Sequence, residues 1–109
     1  MIFVETKIFT RRVAELGAEE ELRKLQLHLQ ANPNSGDVVA GLDGLRKIRM
    51  PLPGRGKRGS ARALYLFFIH ADKIVFLLVY TKNEFNDLSP DTRKAIKGKI
   101  KEFRREFEK

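Results

Sequence analysis

Two apolar runs, ARALYLFFI (61–69) and KIVFLLVYT (73–81), constrain this chain more than any other feature. Both are rich in aromatic and β-branched side chains, and only His70, Ala71 and Asp72 separate them. Such runs, joined by so short a turn, predict a β-hairpin with both faces largely buried.

The flanking segments supply the rest of an α+β domain. IFVETKI (2–8) mixes apolar and polar residues at a strand-like period, and Thr10 is expected to cap the first helix. From Arg11 to about Ala31, Val13, Leu16, Leu22, Leu25, Leu27 and Leu29 predict either two helices or one broken near Gly17. Glu19, Glu20 and Glu21 suit the positive end of the second helix dipole, and Asn32 and Pro33 stop it. NPNSGDVVAGLDG (32–44) reads as a connection, and LRKIRM alternates as a strand, with Arg46, Ile48 and Met50 on one face. PLPGRGKRGS is a loop. Ser89, Pro90 and Asp91 open a final helix, whose apolar stripe is Ile96, Ile100, Phe103 and Phe107. The expected order is βααβββα, in one domain over residues 1–109, with no internal repeat.

Charge is distributed unevenly over this frame. The net charge is +8, but residues 1–43 carry −2 and residues 44–109 carry +10. The stretch GLRKIRMPLPGRGKRGSAR (44–62) holds seven Lys or Arg and no acidic residue. Polyanions are the natural partners of such a surface, although a solvated loop also accommodates a charge run. No apolar run reaches the roughly 18 residues of a membrane span. The N-terminus does not read as a signal peptide, and there is no cysteine, so a cytoplasmic protein without disulfide or thiolate metal site is expected.

Pairing the later strands on paper concentrates the charge. If Met50 lies opposite Ala61, Arg49 faces Arg62 and Lys47 faces Leu64; if residues 70–72 form the hairpin turn, Arg62 also faces Tyr80. Lys47, Arg49, Arg62, Tyr80 and Lys82 then share one face at one end of the sheet, beside the loop carrying Arg55, Lys57 and Arg58. A one-residue slip in either hairpin would send some of them to the other face. Cations on rigid strands can position phosphates and stabilise charge developing on them. His28 and His70 have no local support as a nuclease pair, Glu84 and Asp87 read as solvated connection residues, and GRGKRG lacks the spacing of a P-loop. No metal site and no cofactor are expected.

NPNSGDVVAGLDGLRKIRM, GRGKRGSARALYLF and VYTKNEFNDLS, taken with the element order, resemble toxins of the RelE superfamily, specifically its HigB-like branch. The resemblance spans nearly the whole chain. It implies a small, mainly antiparallel twisted sheet packed with helices. It also implies a ribosome-dependent endonuclease that cleaves mRNA in the ribosomal A site by activating a ribose 2′-hydroxyl against the adjacent phosphodiester, with cations in place of histidines.

Carried over by position, Lys47 and Arg49 correspond to the family's basic pair, Arg62 to the basic residue opening the next strand, and Lys82 to the basic segment after the last one. Asn83 and Ser89 depart from the pattern, standing where or near where RelE has a basic residue and a tyrosine. In this reading Lys47 is the candidate base if neighbouring cations disfavour its protonated form. Arg49 and Arg62 stabilise the phosphorane, and Lys82 assists the phosphate or leaving group. Arg46, Arg55, Lys57, Arg58, Tyr80 and Asn83 contact RNA. The implied partners are a HigA-like antitoxin, the small ribosomal subunit and mRNA, with DNA reached only through an antitoxin complex and no membrane involved. ParE-like relatives, which inhibit gyrase, and a non-catalytic RNA-binding protein are the competing readings.

Overall fold

The computed structural model describes residues 1–54, 59–81 and 88–108. Its centre is the predicted hairpin, β4 (Ala61–Phe68) and β5 (Lys73–Thr81), in which most positions are buried and the rest are partly buried. β3 (Arg46–Met50) pairs antiparallel with β4, and β2 (Asp37–Val38) antiparallel with β3. β1 (Ile2–Glu5) lies parallel to β5, giving a five-stranded mixed sheet in the order β1-β5-β4-β3-β2. The expected order lacked β2, a two-residue strand inside a turn-rich connection, where side-chain alternation is too short to detect.

Helices cover both faces, as a sheet buried on both sides requires. α1 (Lys7–Glu15) and α2 (Glu19–Ala31) bury Phe9, Val13, Leu22, Leu25 and Leu29 against Ala63, Tyr65, Ile74 and Phe76. Phe9 stacks on Phe76 with centroids 4.9 Å apart. α3 (Pro90–Phe107) lays Ile96 and Ile100 on Leu64, Leu66, Val75 and Leu77 of the other face, and Phe103 and Phe107 complete the predicted stripe.

The helix boundaries reflect local chemistry. Thr6, rather than Thr10, caps α1: its Oγ1 accepts the Phe9 amide at 3.1 Å and donates to the Leu77 carbonyl at 2.8 Å, tying the helix start to β5. Thr10 lies inside the helix and donates to Glu5. The α1–α2 break is resolved as two helices. Gly17 takes φ +63°, its amide bonds the Ala14 carbonyl, and the Ala18 amide reaches Val13, the paired bonds of a Schellman ending. Ser89 caps α3 as expected, with Oγ accepting the Thr92 amide at 3.2 Å and Pro90 in the first turn.

The β4–β5 hairpin reaches the expected alignment by a different route. The chain turns over residues 69–72, with Phe68 opposite Lys73, rather than over 70–72. That turn alone would set Arg62 opposite Val79. An irregularity between the Leu64–Leu78 and Tyr65–Phe76 pairs leaves Leu77 as an extra residue and restores Arg62 opposite Tyr80. No helix among the described residues is long and apolar enough to cross a membrane.

Candidate active site

Alternation along β3 assigns its side chains. Ile48 and Met50 pack toward α1 and α2, which puts Lys47 and Arg49 on the α3 face. Lys47 lies opposite Leu64, Arg49 opposite Arg62, and Arg62 opposite Tyr80 on β5. Directly opposed residues share a face with Cα atoms about 4.5–5.5 Å apart, so the three cations form one group at one end of the sheet. Lys47 and Arg49 are exposed and Arg62 is half-buried, with Nη1 donating to the Ala61 carbonyl at 3.3 Å.

Tyr80 joins the group across the ladder from Arg62. Burial raises the phenol above its ordinary ionisation range, and the Arg62 guanidinium pulls it back down. The ring packs among the α3-side core, so little of it faces solvent.

Arg46 is not brought to this face. It shares the opposite face with Tyr65, and its Nη1 donates to the carbonyls of Asn34 at 3.1 Å and Gly36 at 2.7 Å. The fully buried Tyr65 completes the tie: its hydroxyl accepts the Gly36 amide at 2.9 Å and donates to Pro33 O at 2.8 Å. Burial raises this phenol too, partly offset by the Gly36 hydrogen bond and by Arg46. Arg46 therefore fastens the 33–36 turn.

That turn leads into β2 and sets Asp37 directly opposite Lys47. The cationic face thus includes a carboxylate, which residues 44–62 alone did not suggest. The loop before β3 is fixed from the other side. Arg93 donates to the Ala40 carbonyl, and Arg104 donates from Nε to Asp43 Oδ2 at 3.1 Å and also to the Asp43 carbonyl. In the sequence Arg104 has the look of a solvated helix face. Its partner lies 61 residues away, so no local pattern signals it.

Lys82, Arg55, Lys57, Arg58 and Asn83, together with Glu84 and Asp87, lie outside the described residues. Among the described residues, no group of three or more His, Asp or Glu side chains is placed to hold a metal ion.

The fold and its strand-borne cations define a class: a small mixed-sheet domain with helices on both faces and a basic surface at one end. The family model described as the RelE toxin of the RelE/RelB toxin-antitoxin system matches residues 5–108, and the chain belongs to this family of toxins. Among solved structures, it is similar to E. coli toxin RelE, a variant in the free state, at 15% identity and a TM-score of 0.60. That match covers 78% of this chain and 86% of the other, and supports the shared fold.

Proposed function

We propose that this toxin is a ribosome-dependent mRNA endonuclease of the HigB-like branch, acting in the cytoplasm and held inactive by a HigA-like antitoxin. The observation that carries the reading is the alignment of Arg49 opposite Arg62 with Lys47 on the same face. Like charges placed directly across a ladder destabilise it, and a bound phosphate relieves the repulsion.

In the reaction, Lys47 acts from its neutral amine form and takes the proton of a ribose 2′-hydroxyl, and the 2′-oxygen attacks the adjacent phosphorus. Arg49 and Arg62 hold the two non-bridging oxygens as negative charge builds on them. The bond from phosphorus to the 5′-oxygen breaks, leaving a 2′,3′-cyclic phosphate and a 5′-hydroxyl. Lys82 supplies the proton to that leaving oxygen. Arg55, Lys57 and Arg58 bind RNA backbone, which makes affinity fall with salt.

Primer extension on a translated message tests the proposal in a purified translation system. Cuts within codons that appear only when ribosomes are present are expected. An intact message, with gyrase stalled on DNA instead, would overturn the proposal in favour of the ParE-like reading.

A further inference from the structure

A groove of about 400 Å³ runs between α2 and the outer edge of β3, on the α1/α2 side of the sheet, and Arg49, whose strand position belongs to the cationic face, also lines it. Among the described residues, β2 pairs only with Arg46 and Lys47, so from Ile48 onward the outer edge of β3 carries no paired strand and α2 lines the groove beside it. The helix wall is Glu21, Lys24, Leu25 and His28, with Glu21, Lys24 or Leu25, and His28 three or four residues apart and therefore on one helical face. Ile48, Arg49 and Pro51 make the strand wall.

We infer that this groove is a nucleobase pocket, which takes one unstacked base of the RNA whose phosphate lies on Lys47, Arg49 and Arg62; the inference rests on the nuclease reading above. Four features support a base as the occupant. The volume lies at the lower end of the roughly 300–1,000 Å³ range of small-molecule sites. Leu25, Ile48 and Pro51 give it an apolar lining for a base plane. Lys24 and Arg49 put a cation on each wall, which matches the phosphates flanking a base. Glu21 can accept hydrogen bonds from base amino or imino groups, and His28 is held in place by Nε2 at 3.0 Å from Ser35 Oγ. Single-stranded RNA is read in this way, by bases splayed out of the stack and bonded along their edges.

The pocket and the phosphate site share Arg49, so occupancy of one orients the other. A base in the groove would fix which nucleotide precedes the cut, making Glu21 and His28 specificity-determining residues.

The test uses the full chain, methyl NMR and the four ribonucleoside 5′-monophosphates, with inorganic phosphate as control. The expected result is movement of the Leu25 and Ile48 methyl signals with the nucleotides but not with phosphate, with at least one base preferred. Lys24→Ala and His28→Ala, both at exposed positions, should weaken nucleotide binding on the order of tenfold without lowering thermal stability. Methyl signals unmoved by every nucleotide would overturn the inference. Movement caused by the antitoxin instead would also overturn it, and would assign the groove to protein docking. Ribosome-dependent cleavage is scored separately. Cleavage with unmoved methyls rejects the pocket alone, and moved methyls without cleavage reject the nuclease reading while leaving the pocket.

Discussion

Arg62 stands directly opposite Tyr80 across the β4–β5 ladder, and its guanidinium offsets part of the upward shift that burial imposes on the phenol. The chain has only two tyrosines, so an alkaline absorbance titration reads both. Replacing Arg62 with Ala removes the offset, and one of the two ionisations should move to higher pH. An unchanged titration would show that Arg62 does not act on Tyr80.

Both tyrosines are raised above the ordinary 10.0, so the folded protein holds the phenolic protons more tightly than the unfolded chain does. Their contribution to stability is therefore complete below about pH 10 and lost as pH rises through the folded-state ionisations. Denaturant unfolding across that range should show a steeper alkaline loss in the wild type than in Tyr65→Phe.

Tyr65→Phe also removes the two hydrogen bonds that Tyr65 makes to the 33–36 turn and leaves the Gly36 amide without its partner. A cost of roughly 1–3 kcal/mol is expected for a buried donor left unsatisfied. Gly36→Ala tests the same contact sterically, because an added Cβ would lie 2.8 Å from the Tyr65 ring and 3.0 Å from the Lys47 carbonyl. It should lower the melting temperature, read by circular dichroism.

Asp37 is the acidic member of the cationic face, opposite Lys47. Asp37→Asn keeps the side chain's shape and removes its charge. Affinity for a short RNA should rise about threefold at low salt, with the difference shrinking as salt screens the surface. An equal gain at high salt would point to a change in shape rather than charge.

The central sheet was legible because its residues are locally redundant: the two apolar runs, the LRKIRM alternation and the turn formers between them all agree. The alignment of Arg49 with Arg62 came from closing one loop at Met50 and Ala61. The alignment of Arg62 with Tyr80 came out as expected only because a longer turn and an extra residue at Leu77 offset one another. Bulges leave no mark in a uniformly apolar strand, where every residue suits either face. The roles of Arg46, Arg93 and Arg104 were hidden for another reason. Each donates to main-chain carbonyls, which carry no sequence signature. Asp37 was missed because β2 has only two residues.

Arg62→Ala tests most directly the proposed role of the paired strand cations in RNA cleavage. The measurement is the rate of ribosome-dependent cutting by primer extension, with folding checked by circular dichroism. Loss of one preorganised charge at the phosphate should slow cutting on the order of 100- to 1,000-fold while the protein stays folded. A folded Arg62→Ala protein that cuts at the wild-type rate would contradict the account.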